Sequence, residues 1–314
     1  MTDPLNSTDD LVVAALYHFA RLPDFREWRA PLTALCEQHG LLGTLLLAEE
    51  GINGTVAGST SGVAALLAHL RADPRMADLV HKESRAAQPP FRRLKVRLKK
   101  EIVSMGVPGT DPNHLKGSYL DADDWNRVIN DPDVLVIDTR NEYEIAAGSF
   151  PGAVDPKTRS FREFPAFVDR ALKGREDQPV AMFCTGGIRC EKSTAYLKSR
   201  GFRQVYHLRG GILNYLDTVK PEDNQWQGEC FVFDERVSVD RHLAPGRLDL
   251  CRACRRPLTQ AQKDSPDYEP AVSCPQCIGE YSEAQRQRFR ERKRQVDLAD
   301  ARGERHLGQR LDSD

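Results

Sequence analysis

Residues 183–190 read F-C-T-G-G-I-R-C, and no other stretch restricts the chain as strongly. Residues 179–183 form a continuous apolar run, the pattern of a strand covered on both faces. The spacing predicts a helix over 191–200 with Gly201 as its C-terminal stop. A strand–loop–helix unit of this kind aims backbone N–H groups and a helix N-terminus at one sulfur, that of Cys184, and favours its thiolate. Gly186 and Gly187 let the backbone curl round that sulfur, and Arg189 and Lys192 add positive charge nearby. Packing an inert thiol gives no reason for glycines directly after it, so Cys184 is the candidate nucleophile. Cys190 has two readings: it packs in the first helical turn, or it acts as a resolving thiol against an oxidised or persulfidated Cys184.

The totals describe the setting. A chain of 314 residues, 40% hydrophobic and 29% charged, is a multidomain globular protein. A net charge of −1 makes no global case for a polyanionic partner, so any such case rests on local clusters. No apolar run approaches the ~20 residues of a membrane span, and the polar N-terminus is unlike a signal peptide. Neither a membrane nor DNA is expected as a partner. Six of the eight cysteines fall at chemical and metal-binding spacings rather than in a disulfide framework, which points to the reducing cytoplasm, and Cys36 and Cys230, without a partner at useful spacing, read as structural.

Three units follow from the patterning, giving a mixed α/β and α+β fold class. In 1–110, after a disordered leader over 1–10, strands are expected at 12–20, 43–48, 54–57, near 78–82 and at Leu94–Leu98. Helices are expected at 31–39 and 60–72, the latter capped by Ser59 or Thr60, with a turn over 49–53. That order is the split βαβ, ferredoxin-like arrangement. Residues 108–116 look like a linker. In 117–220, apolar runs at 134–137 and 180–183 and a strand at 204–208 alternate with helices, as in a parallel sheet with chemistry at strand C-termini. Asp138 and Arg140 follow one such strand end and join the candidate catalytic set. Residues 224–314 are Cys-rich, and the charged tail from 280 onward reads as helical and mobile.

Two further patterns carry chemistry. In Leu94–Leu98 and its flanks, Leu94, Val96 and Leu98 alternate with Arg93, Lys95, Arg97 and Lys99. A strand would turn the aliphatic set inward and the cations outward. Such a strand is either an edge protected against aggregation or, with Arg92 and Lys100 included, an RNA phosphate contact. Cys251, Cys254, Cys274 and Cys277 spell C-x2-C-x19-C-x2-C, the spacing of a four-thiolate zinc site with a structural role; an iron–sulfur cluster is the lesser alternative.

The Cys184 loop is too short for a protein phosphatase, because the position six residues on is Cys190, not Arg. It resembles the rhodanese domain, as do Asp138-Thr139-Arg140 with Glu142 and Glu144, residues 148–153 (G-S-F-P-G-A) and residues 207–212 (H-L-R-G-G-I). Taken with residues 49–55 (E-E-G-I-N-G-T), 94–97 (L-K-V-R), 100–103 (K-E-I-V), 161–165 (F-R-E-F-P) and 230–234 (C-F-V-F-D), the whole chain resembles the bacterial tRNA uridine hydroxylase family. The resemblance implies an acylphosphatase-like N-terminal domain, a rhodanese domain and a Cys-rich tail. It also implies oxygen-dependent C5 hydroxylation of the wobble uridine, with tRNA engaged at its anticodon region, molecular oxygen as co-substrate and an electron donor the residues do not name. On this reading Cys184, as thiolate, oxidised or persulfide form, adds at C6 and Arg189 with the loop amides stabilises the oxyanion. The rival expectations are a persulfide-carrying sulfurtransferase and a tRNA-binding adaptor without catalysis.

Overall fold

The computed structural model describes residues 11–303; the leader expected over 1–10 and the last part of the tail lie outside them. The N-terminal part runs β1 (Leu11–Phe19), α1 (Arg29–Gln38), β2 (Leu42–Ala48), β3 (Gly51–Gly58), α2 (Thr60–Arg71), β4 (Val80–Ala86) and β5 (Leu94–Leu98). The sheet order is β4-β1-β3-β2-β5, antiparallel except for β2 and β5. Even positions of β1, Val12, Ala14 and Leu16, join Leu45, Leu47, Val96 and the α1 and α2 side chains in the core. Odd positions, among them Val13, Ala15, Tyr17 and Phe19, therefore face away from both helices, since strand side chains alternate. Ser59 caps α2, its hydroxyl accepting from the Gly62 amide at 3.1 Å.

Two boundaries in this part differ from expectation by more than two residues. β3 begins at Gly51, because Glu49 and Glu50 alone make the hairpin turn. Gly51 has φ +137°, and a Cβ there would lie 2.0 Å from the His18 carbonyl oxygen, so only glycine admits so tight a return. β4 lies at Val80–Ala86, further along than the 78–82 region, because its polar run H-K-E-S-R pairs with β1 as an edge strand.

The second part holds β6 (Ser118–Leu120), α3 (Ala122–Ile129), β7 (Leu135–Asp138), α4 (Glu142–Ile145), β8 (Gly148–Ser149) and α5 (Phe164–Ala171). β9 (Val180–Phe183), α6 (Ile188–Ser199), β10 (Val205–Leu208) and α7 (Gly211–Thr218) complete it. Its parallel sheet is ordered β6-β10-β9-β7. β9 is wholly buried and delivers Cys184 at its C-terminal end. α6 begins three residues earlier than expected, so Arg189 and Cys190 lie in its first turn. Gly201 follows it at φ +94°.

The third part contains β11 (Gln227–Gly228), β12 (Cys230–Phe231), β13 (Ser238–Val239), β14 (Asp249–Leu250), β15 (Pro257–Leu258), α8 (Gln260–Lys263) and α9 (Glu283–Ala301). The tail expected to be mobile is a docked helix up to Ala301. Ser282 and Gln285 form its capping box. The Arg290 guanidinium donates twice to Glu269, both at 2.7 Å; Arg286 reaches the Ile278 carbonyl at 2.8 Å; Phe289 meets Tyr281 edge-on. Arg286, Arg290 and Arg292 are thus held by an acid and carbonyls of the Cys-rich unit, which composition alone cannot reveal.

Candidate functional site

The Cys184 sulfur accepts a hydrogen bond from the Gly187 amide at 3.1 Å. Gly187 sits at φ +99°, where side chains other than hydrogen are strained, and opens α6. Behind the loop, the Ile212 and Leu213 amides donate to the Cys184 and Thr185 carbonyls at 2.9 and 3.1 Å. A Cβ on Gly211 would lie 2.4 Å from the Cys184 carbonyl oxygen, which accounts for the glycine of the H-L-R-G-G-I motif. Gly186, by contrast, has open space where a Cβ would stand.

Burial pushes the Cys184 thiol upward. The Cys190 thiol donating toward it, the Arg189 guanidinium and the Cys190 and Arg189 amides outweigh burial and bring it down to about 6. Cys190 moves the opposite way: burial, then the neighbouring Cys184 sulfur, hold its proton on well above the ordinary thiol range. The pair therefore shares one proton, carried by Cys190. The Thr139 hydroxyl lies 3.7 Å from the Cys190 sulfur.

Arg189 is not free to reach a substrate atom with both ends. Its two terminal nitrogens donate to Glu144 at 2.7 Å each, and Thr185 bridges the pair at 3.3 Å to either partner. Burial raises Glu144, but Arg189 overcomes this and keeps it ionised. Arg189 thus acts on the sulfur through its field. Asp138 and Arg140 are buried as an ion pair with contacts of 2.6 and 2.9 Å. Arg140 also donates to the Glu144 and Gly148 carbonyls. Neither lines the cleft described below; they brace α4, which carries Glu144. Lys192 is turned from the sulfur. Its ammonium, 2% exposed, donates to Glu101 at 2.6 Å, to Glu50 at 2.9 Å and to the Val103 carbonyl, tying α6 to the N-terminal part.

Cys184 lies at the floor of a cleft of about 910 Å³ between the helix-free face of the N-terminal sheet and the rhodanese-like loop. Tyr17, Thr44, Leu46 and Asn53 form one wall; Gly186, Arg189 and Glu191 form the other. The sulfur's residue is only 1% exposed. Two tyrosines, Tyr17 from β1 and Tyr119 from β6, donate to one Glu191 oxygen at 3.3 and 2.6 Å. Burial raises Glu191, against the Tyr119 hydrogen bond and Lys116. Arg209 stacks 4.7 Å over the Tyr119 ring. Sequence reasoning passed over Tyr17, Tyr119 and Glu191 as site residues, since they meet only in three dimensions. The one available signal was an aromatic on the face of β1 that the helices leave uncovered.

On β5 the aliphatic residues point into the core and the cations away from it. Lys95 pairs with Thr44 and Arg97 with Leu46, so both share the cleft-side face of the sheet. Arg92, Arg93, Arg97, Lys99 and Lys100 are exposed. Burial, and after it Arg93, Arg97 and Arg255, push the Lys95 ammonium down. An acid does approach this edge from elsewhere in the chain: Glu235 lies 3.7 Å from Arg92 and binds Arg252 at 2.7 Å.

The sulfurs of Cys251, Cys254, Cys274 and Cys277 lie within 4.8 Å of one another. Three of the separations are 3.6, 3.8 and 4.0 Å. Tetrahedral thiolate ligation at about 2.3 Å from a metal puts neighbouring sulfurs about 3.8 Å apart, so the four residues fit a metal ion. Cys36 and Cys230 are buried without such company, and burial pushes their thiols up to about 11 and about 12.

Comparison with known proteins adds to this geometry. Residues 11–102 match the family described as UPF0176 acylphosphatase like domain, and residues 121–218 match the rhodanese-like domain. The protein named tRNA uridine(34) hydroxylase from Agrobacterium fabrum (strain C58 / ATCC 33970) is 60% identical over 300 residues, covering 95% of each chain. Relatives with the same name from Rhizobium leguminosarum bv. trifolii (strain WSM2304) and Sinorhizobium fredii (strain NBRC 101917 / NGR234) are 55% and 56% identical. Each alignment covers 98% of this chain and all of the relative.

Proposed function

The chain belongs to the tRNA uridine(34) hydroxylase family, and we propose that it hydroxylates C5 of the uridine at position 34 of tRNA, with molecular oxygen as co-substrate and Cys184 as nucleophile. The observation that carries the mechanism is a sulfur held as thiolate at the floor of a cleft walled by a sheet whose edge strand, β5, is cationic. Addition of that thiolate at C6 of uracil places an electron pair on the C4–C5 enolate, which attacks oxygen at C5. One oxygen atom stays on C5. The other leaves as water, using two protons and two electrons from a donor outside the chain. Loss of the C5 proton then expels the sulfur and restores the aromatic ring.

Within this scheme Arg189 and the loop amides hold the charge on Cys184 between turnovers, and Cys190 keeps the neighbouring proton. The target base lies in the anticodon loop, where an unpaired nucleotide can be splayed into a pocket. Arg92, Arg93, Lys95, Arg97, Lys99 and Lys100 are then phosphate contacts on the rim. The labour divides among 1–110 as RNA platform, 117–220 as catalytic unit and 224–314 as a clip. Zinc held by Cys251, Cys254, Cys274 and Cys277 would be structural, because four thiolates leave no open coordination position. Free thiols throughout and a tRNA substrate suit the cytoplasm.

Nucleoside mass spectrometry of tRNA from a deletion strain complemented with wild type or Cys184→Ser tests the assignment. Wild type restores 5-hydroxyuridine derivatives in air and not under anaerobic growth, and Cys184→Ser does not restore them. Full restoration by Cys184→Ser would overturn the nucleophilic mechanism.

A further inference from the structure

We propose that Phe233 is the stacking platform for a nucleobase flanking the target uridine; this rests on the tRNA reading above. Phe233 lines the same cleft as Cys184. It is 61% exposed, while the other exposed large hydrophobic side chains among the described residues, Val80, Leu115 and Leu298, are aliphatic. The ring touches the core along one edge, at Phe231, and leaves most of its surface open beside the cleft.

The ring is held firmly. It meets Phe231 edge-on at 5.3 Å and 83°, and Phe231 meets Tyr143 edge-on at 5.3 Å and 81°. Tyr143 immediately precedes Glu144, which holds Arg189 in the catalytic loop. The turn after Phe233 is pinned at several points. Arg236 binds Asp234 at 2.6 Å and donates to Ser84 of β4 at 2.7 Å, and the Glu235 amide donates to the Pro90 carbonyl at 3.0 Å. Val237 stands at φ +64°, a left-handed conformation that a β-branched residue adopts only when its surroundings enforce it. A strained, doubly anchored turn thus presents one bare ring to the cleft.

A nucleobase is the occupant this arrangement fits. Single-stranded RNA is recognised by splaying bases onto aromatic rings, and every base offers a π face. The lining around the ring is mostly apolar, which suits the face of a base, and Lys82, Arg236 and Arg209 line the cleft with Phe233, the first two paired with Asp217 and Asp234.

The test uses the full-length protein and an unmodified substrate tRNA carrying 2-aminopurine next to position 34. Wild type quenches the probe on binding. Phe233→Leu binds about 5- to 150-fold more weakly, the range of a lost base–aromatic stack, and does not quench; Phe233→Trp restores both. The slope of log affinity against log salt stays the same, because no phosphate contact is lost. Thermal unfolding and circular dichroism of Phe233→Leu match wild type. Equal affinity and quenching in Phe233→Leu would overturn the proposal, as would a loss that appears only as a changed salt slope. Failure of wild type itself to bind tRNA would instead overturn the tRNA reading beneath it.

Discussion

The shared proton of Cys184 and Cys190 makes a quantitative prediction about pH. Unfolded, both thiols titrate near 9; folded, Cys184 titrates at about 6 and Cys190 well above 9. Between pH 6 and 9 the unfolded chain therefore holds one more proton on this pair, so folding stability rises with pH at about 1.4 kcal/mol per unit. Over those three units the pair contributes about 4 kcal/mol, present in full near pH 9 and lost as pH falls to 6. At pH 7 about 1 kcal/mol of it remains. Above 9 the sign reverses, because the unfolded chain has released both protons while Cys190 keeps its own. The direct assay is thiolate ultraviolet absorbance, wild type minus Cys184→Ser, across the pH range under reductant, with midpoint at about 6 expected. Removing the donor in Cys190→Ala forfeits a hydrogen bond to a charged group, about 1.5–3 kcal/mol. That moves the midpoint up by about one to two units. Urea unfolding of wild type and Cys184→Ala should diverge by the same slope between pH 6 and 9. A midpoint at the free-cysteine value, or a Cys190→Ala midpoint that does not move, would refute the account.

Three further outcomes follow from single contacts. Lys192→Met leaves Glu50 and Glu101 facing each other without a cation, and thermal unfolding should show a loss of about 3–5 kcal/mol; a change under about 1 kcal/mol would show that water already screens the pair. Gly187→Ala forces a side chain to φ +99° and 2.7 Å from the Tyr17 hydroxyl. Steady-state kinetics should show hydroxylation falling about tenfold or more, for strain of about 1–3 kcal/mol, with part recovered in Gly187→Ala combined with Tyr17→Phe. Chelation, or Cys254→Ser, should release one equivalent of metal and open α9 to protease. The helix docks on Glu269, Ile278 and Arg252, all within or beside the two Cys pairs; undiminished protection of α9 in the metal-free protein would count against that dependence.

Features with a short period could be read from the residues alone. The alternation in β5 has period two, and its aliphatic half does enter the core. The C-x2-C pairs have a spacing that ligand geometry imposes, and their sulfurs meet. What escaped reading depends on partners far along the chain. The edge strand β4 carries a polar sequence and is made a strand by its pairing with β1. Lys192 sits two residues beyond Cys190, so charge counting places it by the sulfur, whereas Glu50 and Glu101 draw it to the other side of α6. Tyr17, Tyr119 and Glu191 are separated by up to 174 positions and carry no common pattern. The arginines of α9 read as solvated because the acids and carbonyls that bind them belong to other segments.

The first turn of α6 explains why the two domains are needed together. Successive helical residues fan out by about 100°, so four neighbours can face four surroundings. Arg189 and Cys190 turn toward the sulfur and set its charge. Glu191 and Lys192 turn toward the N-terminal sheet, where Tyr17, Glu50 and Glu101 receive them. Any shift of the sheet against the rhodanese domain must therefore pull on the turn that ionises Cys184. The Cys184 residue is 1% exposed, and that burial opposes the thiolate. The loop holds its charge only because Cys190, Arg189 and two amides together exceed the desolvation cost. A rhodanese loop freed from the sheet would lose the wall that carries Tyr17 and Asn53. The Cys184 thiolate and the sheet that walls the cleft are thus coupled through one helical turn.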